Sequence, residues 1–123
     1  MRKVLLDTNF ILSCIREKVD LFDKLEELGY GVVIPTIVIN ELKRISLGNK
    51  SSKLRAEALF ALRVLKSEKY EELETGGRYA DTGIINYLKK NPKYAVATLD
   101  REIQKSVKNS KIVLRARQKL EVI

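Results

Sequence analysis

Asp7, Glu41, Asp81 and Asp100 are acids set into apolar surroundings, and their spacing suggests one shared piece of chemistry. Asp7 follows Val4-Leu5-Leu6, a short run that reads as a buried strand. Open parallel sheets place their ligands beyond the carboxyl ends of such strands. Asp100 stands in the same relation to Ala95-Val96-Ala97-Thr98. Glu41 lies in a helical pattern: at about 100° per residue it falls between Ile37 and Ile45, on the core-facing side. Asp81 falls likewise among Ala80, Ile84, Ile85 and Leu88. Capping by Asp7 or Thr8 would explain a polar residue after the first strand. It would not require a carboxylate there, and it does not reach Glu41 in mid-helix.

Charged side chains are rarely buried unless paired or bound to metal. If two strand-end acids and two helix acids meet in one crevice, they repel one another. The chain has no histidine and a single cysteine, Cys14. An oxygen-only ligand set suits a hard divalent cation, Mg²⁺ or Mn²⁺. Such an ion lowers the pKa of a bound water and stabilises charge on a phosphate under attack. Ion pairing of the same acids with Lys or Arg is the structural alternative.

The absences narrow the field further. Without histidine there is no Ser–His–Asp triad and no imidazole acid or base. One cysteine rules out a disulfide framework and a Cys/His zinc cluster, and suits a cytoplasmic location. The six glycines match neither of the phosphate-cradling patterns GxGxxG and GxxxxGK[ST]. No apolar run approaches a membrane span, and Asp7 and Asn9 break the N-terminal run too early for a signal peptide. A receiver-like phospho-acceptor domain would want an acidic pair after the first strand, where this chain has one acid.

The net charge of +8 is segregated. Residues 43–55 hold Lys43, Arg44, Lys50, Lys53 and Arg55 with no acid. Residues 101–119 hold seven cations, Arg101, Lys105 and Lys108 among them, against Glu102 alone. Together they carry +11, so the rest of the chain is −3. Segregation of that kind favours a polyanion-binding face over a merely solvated one.

Elements that could position the acids follow from periodicity. Strand 3–6 leads to a helix from residue 8 to about 16, and a second helix carries Leu21, Phe22, Leu25 and Leu28. Gly29-Tyr30-Gly31 is expected to turn into strand 32–34, stopped by Pro35. Thr36 is expected to cap a helix from about 37 to 46, and Ser51 or Ser52 one from about 53 to 66. Residues 70–74 suit an edge strand, 79–90 a helix ended by Asn91-Pro92, and 95–98 a buried strand. A helix to about 108 and strands 111–114 and 119–122 complete the chain. Strands alternating with helices predict an α/β fold, a three-layer α/β/α sandwich on a mostly parallel sheet, formed by residues 1–123 as one domain. A chain of 123 residues can bury roughly two thirds of its unfolded surface.

Taken in order, Leu5-Leu6-Asp7-Thr8-Asn9, Pro35-Thr36-Ile37-Val38-Ile39-Asn40-Glu41-Leu42, Tyr79-Ala80-Asp81 and Val96-Ala97-Thr98-Leu99-Asp100 resemble the motifs of the PIN-domain nuclease family. The resemblance covers essentially the whole chain, and its wording is most similar to the PIN endonucleases of ribosomal RNA processing. It implies a PIN-like fold and an endoribonuclease dependent on Mg²⁺ or Mn²⁺. By that likeness Asp7, Glu41, Asp81 and Asp100 would bind metal and act in catalysis, and Asn9 and Thr98 would support them from behind. Lys43, Arg44, Lys50, Lys53, Arg55, Arg101, Lys105 and Lys108 would hold the RNA backbone. The implied partners are a pre-ribosomal particle or, for a VapC-type toxin ribonuclease, an antitoxin; monomer and dimer are both open. A PIN module that binds RNA or protein without cutting is a third possibility, against which the full set of acids counts. Two departures stand out: Thr82 occupies a position where part of the ribosomal subgroup has an aspartate, and Gly83 marks close packing at the helix start.

Overall fold

The structure, a computed structural model, describes residues 1–123. It runs β1 (Arg2–Leu6), α1 (Thr8–Arg16), α2 (Leu21–Glu27), β2 (Tyr30–Pro35), α3 (Thr36–Leu47) and α4 (Ser52–Ser67). Then follow β3 (Glu71–Leu73), α5 (Ala80–Lys90), β4 (Ala95–Ala97), α6 (Arg101–Ser106), β5 (Lys111–Arg115) and β6 (Lys119–Val122). Six strands form one sheet in the order β3-β2-β1-β4-β5-β6. All pairings are parallel except the β5–β6 hairpin. The expected α/β architecture with a mostly parallel sheet is therefore present.

The connectivity creates the important place. From β1 the chain moves outward to β2 and β3, then returns across the sheet to β4 on the other side of β1. Right-handed crossovers put the helices of these two excursions on opposite faces. α1, α3 and α4 accordingly pack with one another, and α5 packs with α6. β1 and β4 are adjacent, with Leu5 beside Val96 and Leu6 beside Ala97. Strand order reverses there, and a crevice opens beyond their carboxyl ends. Phe10, Leu5, Leu6, Ile34, Leu42 and Leu88 are fully buried in the core. Burial of each stabilises the fold by about 1.5–3 kcal/mol.

Several boundaries differ from expectation. Tyr30, Gly31 and Pro35 belong to β2, because parallel pairing to β1 extends to Arg2↔Tyr30 at one end and the β3 pairing to Pro35↔Leu73 at the other. Thr36 does not cap α3; its hydroxyl donates to Glu72 at 2.9 Å and ties the helix start to edge strand β3. Ser51 does cap α4, accepting from the Leu54 N–H at 3.2 Å. α6 stops at Ser106, before the expected Lys108. Beyond it the buried Asn109 amide donates to the carbonyls of Leu88, Asn91 and Tyr94, tying the segment before β5 to the end of α5 and the turn that follows it. No helix is long and apolar enough to cross a membrane.

Close packing at Gly83 is present as well. A Cβ there would strike the backbone carbonyl of Gly76. Gly76 and Gly77 have φ of +73° and +83°, a region open to glycine at little cost, which lets the loop fold onto the first turn of α5. Gly83→Ala should therefore lower stability by about 1–3 kcal/mol in urea unfolding, as over-packing does. A change below about 0.5 kcal/mol, the usual size of a surface substitution, would mean that the loop does not rest on α5.

Candidate active site

Asp7 sits at the end of β1 with both carboxylate oxygens engaged. Oδ1 accepts from the Phe10 N–H at 3.0 Å, capping α1, and Oδ2 accepts from the Thr98 hydroxyl of the neighbouring strand end. The Asp7 N–H donates to the Ala97 carbonyl at 3.2 Å. Thr98 is fully buried; its Oγ1 also accepts from the Asp100 N–H at 3.0 Å, and its carbonyl accepts from the Gln104 side chain at 2.9 Å. Asp7 is thus a helix cap and also the pin between the ends of β1 and β4. Burial pushes its carboxyl above the ordinary value, opposed by the bonds from Thr98, Phe10 and Asn9 and reinforced by the charge of Asp100.

The other acids surround the same space. Asp100 caps α6, accepting from the Glu102 N–H at 2.8 Å, and is half-buried. Glu41 projects from α3 and Asp81 from the first turn of α5. Together with Asp7 they line a cavity of about 250 Å³ at the switch point, walled also by Thr8, Asn9, Tyr79 and Ile84. The helix positions need correcting in one respect. Val38, Ile39 and Leu42 are the buried face of α3, whereas Ile37, Glu41 and Ile45 are half-buried along its border. Asp81 is exposed and accepts from the Thr82 N–H at 2.9 Å, because Gly83, Ile84 and Leu88 form the buried face of α5. Neither acid is in the core; each overlooks the cavity from a helix edge.

None of the four acids is in an ion pair: the three salt bridges are Lys3–Glu71, Arg16–Glu57 and Arg115–Glu121. The structural alternative of pairing with Lys or Arg is therefore not what these carboxylates do. Uncompensated carboxylate oxygens are the donor type that a hard divalent cation takes. The carboxylates stand around the cavity without closing on one point, and no three converge as ligands of a single ion in this arrangement. Asp7 is held by two side-chain hydrogen bonds, whereas Glu41 is half-buried and Asp81 exposed. Cys14 takes no part: burial pushes its thiol up to about 12, leaving no thiolate near neutral pH.

The polar and basic residues separate into distinct places. Asn9 is exposed on the cavity rim, and Thr98 lies behind Asp7 rather than in the cavity wall. Arg44 and Lys50 line an adjoining groove, whereas Lys43 faces a different cavity with Arg63, Lys66 and Glu72. Lys53 and Arg55 are exposed at the start of α4; Arg101 and Lys105 are exposed on α6, and Lys108 just beyond it. Two further polar side chains of the cavity wall are not singled out as site residues by the sequence. Thr8 is buried with its hydroxyl unpartnered, and Tyr79 is 63% exposed. Both stand within motifs visible in the sequence, Asp7-Thr8-Asn9 and Tyr79-Ala80-Asp81.

The environment of Asp7 has a consequence for stability. A carboxyl whose native pKa is raised holds its proton more tightly folded than unfolded, so its contribution is fully present below about pH 4 and is lost as pH rises through the native value. In metal-free buffer, Asp7→Asn should melt at or above the wild-type temperature at pH 7, and the difference should shrink toward pH 4. A variant melting several degrees lower at pH 7 would contradict burial as the dominant influence on Asp7.

Comparison with known proteins identifies the family and the fold. A family model described as a PIN-like domain matches residues 4–119. The chain is 33% identical over 110 residues to the rRNA-processing protein fcf1 of Schizosaccharomyces pombe, covering 85% of this chain and 53% of that protein. It therefore spans about half the length of that relative. It is 30% identical to Ribonuclease VapC4 of Methanocaldococcus jannaschii, covering 97% of this chain and 93% of that protein. Among solved structures, the PIN domain endonuclease Utp24 superposes with a TM-score of 0.78 at 29% identity, covering 98% of this chain and 90% of that one. A VapBC2 structure from Rickettsia felis, at 16% identity and a TM-score of 0.56, shares the fold, covering 89% of this chain and 98% of that one. The chain belongs to the PIN-domain nuclease family.

Proposed function

We propose that the chain is an endoribonuclease dependent on Mg²⁺ or Mn²⁺, acting in the cytoplasm on ribosomal RNA precursors. The observation that carries this is the set of four carboxylates, two on helices and two at helix caps, lining one cavity with no cationic partner. Asp7, Glu41, Asp81 and Asp100 would hold the ion. When bound, a divalent cation would supply an activated water and offset charge on the scissile phosphate. The chain's own contribution is positioning. Thr98 fixes the orientation of Asp7, the cap geometry fixes Asp100, and Glu41 and Asp81 face the cavity from α3 and α5. Exposed cations on the surrounding surface would hold the RNA backbone with salt-sensitive affinity.

Ribosomal RNA processing is favoured by the likeness to fcf1 and to Utp24. In that setting a pre-ribosomal particle would be the partner. A VapC-type toxin, restrained by an antitoxin, is the second reading, favoured by the coverage of VapC4 along nearly its whole length. Both share the same cavity chemistry.

Asp81→Asn should abolish Mn²⁺-dependent cleavage of a single-stranded RNA while leaving thermal stability unchanged, since the side chain is exposed. Thr98→Val should cost about 10–100-fold in activity or in Mn²⁺ affinity, the usual effect of removing a group that orients a ligand. Full cleavage by Asp81→Asn, or by the wild type in EDTA, would overturn the metal-dependent mechanism.

A further inference from the structure

The carboxylate cavity does not end at its own walls. Asn9 and Glu41 also line a second, larger groove of about 790 Å³, so the two are continuous. One side of this groove is the face of α1 that carries Asn9, Ser13 and Arg16, successive positions at helical spacing. The other side is the end of α3 with Arg44 and the following loop with Asn49 and Lys50. Moving away from the acids, the lining passes from Glu41 through Arg44 to Lys50, and from Asn9 to Arg16, so its charge changes sign along its length.

Arg16 is fixed in place. Its guanidinium makes a two-point fork to Glu57 of α4, Nε to Oε2 at 3.1 Å and a terminal nitrogen to Oε1 at 2.9 Å. Glu57 is largely covered, whereas 43% of the Arg16 side chain remains accessible. The fork uses two of five N–H donors and leaves the others for a ligand. Arg44 and Lys50 are exposed and in no salt bridge, so the groove keeps two uncompensated cations against Glu41. No aromatic side chain lines it. A groove with cations, hydroxyl and amide groups but no stacking surface suits a sugar–phosphate backbone and discriminates little among bases.

The other basic segment offers no comparable track. Lys111 donates to the carbonyls of Val107 and Asn109 at 2.9 and 2.8 Å, and Arg115 pairs with Glu121. Arg101, Lys105 and Lys108 line neither the cavity nor the groove.

The geometry points to a single-stranded RNA track that leaves the carboxylate cavity between α1 and the α3–α4 loop, with Arg44 and Lys50 holding successive phosphates and Arg16 as a fixed third anchor. The assignment rests on the ribonuclease reading above for the identity of the polyanion. It adds the direction in which the strand runs and the residues that hold it. Segment 43–55 is thereby divided: Arg44 and Lys50 belong to the track, and Lys43, Lys53 and Arg55 lie outside it.

The test is fluorescence anisotropy of the full chain with a labelled ten-nucleotide oligouridylate in EDTA, titrated across NaCl concentrations. The double variant Arg44→Ala/Lys50→Ala should bind at least ten-fold more weakly. Its log–log salt slope should fall by about 1.4, since each phosphate of a single strand that goes unneutralised reduces the slope by about 0.7. Lys89→Ala/Lys90→Ala, two exposed lysines in the last turn of α5, should match the wild type in both. The opposite pattern, or equal weakening in the two double variants, overturns the track. Melting temperatures of both variants within a degree or two of wild type exclude misfolding as the cause. Cleavage with Mn²⁺ is followed in parallel. If the binding pattern holds and the wild type cuts no RNA, the track stands and the nuclease proposal falls. If the wild type cuts and the Arg44/Lys50 variant binds and cuts with unchanged KM, the nuclease stands and the track falls.

Discussion

The hydrogen bond from the buried Thr98 hydroxyl to Asp7 Oδ2 is the constraint on which the site depends. It joins the carboxyl ends of β1 and β4, the two strands flanking the point where the sheet changes direction. A carboxylate placed there is costly because burial disfavours its charge. The cost is reduced by the Phe10 N–H and the Thr98 hydroxyl, which together settle both oxygens and leave the side chain little rotational freedom. Thr98 in turn is held by the Asp100 N–H and the Gln104 amide, so β1, β4 and α6 share one polar network. Such networks rigidify when fully satisfied.

Around that fixed acid the structure keeps its other carboxylates looser. Asp100 is half-buried and tied as a cap, Glu41 stands at the border of the α3 face, and Asp81 is exposed on a helix start wedged by Gly76, Gly77 and Gly83. With one acid buried, two half-buried and one exposed, the negative charges stand apart. No three of them crowd together.

The cations are divided as well as the acids. Lys3, Arg16 and Arg115 are in salt bridges, and Lys111 is taken up by backbone carbonyls. Arg44 and Lys50 remain free of such partners beside the acids. A charge total of +8 therefore says less about binding than the location of these side chains does. Long-range fields draw in a polyanion, but position along a groove decides which phosphates it presents.

Periodicity alone determined the order and type of elements, because apolar spacing and caps act within a few residues. Val4-Leu5-Leu6, the Ser51 cap and the Asn91 helix end could all be read locally, and so could the presence of acids at two strand ends. Gly83 was legible as a packing position because glycine so near a helix start needs a steric reason. The tertiary structure decided what local spacing cannot reach. It made β1 and β4 neighbours from opposite ends of the chain, and so joined Asp7 to Thr98 across a separation of 91 positions. It also shifted Glu41 and Asp81 from the expected core to its edge, since a helical projection gives relative angle but not where the neighbouring elements stop. The groove beside Glu41 belongs to the same class. Arg16 and Lys50 come from a helix and a distant loop, and only the packing of α1 against α3 and α4 sets them on facing walls.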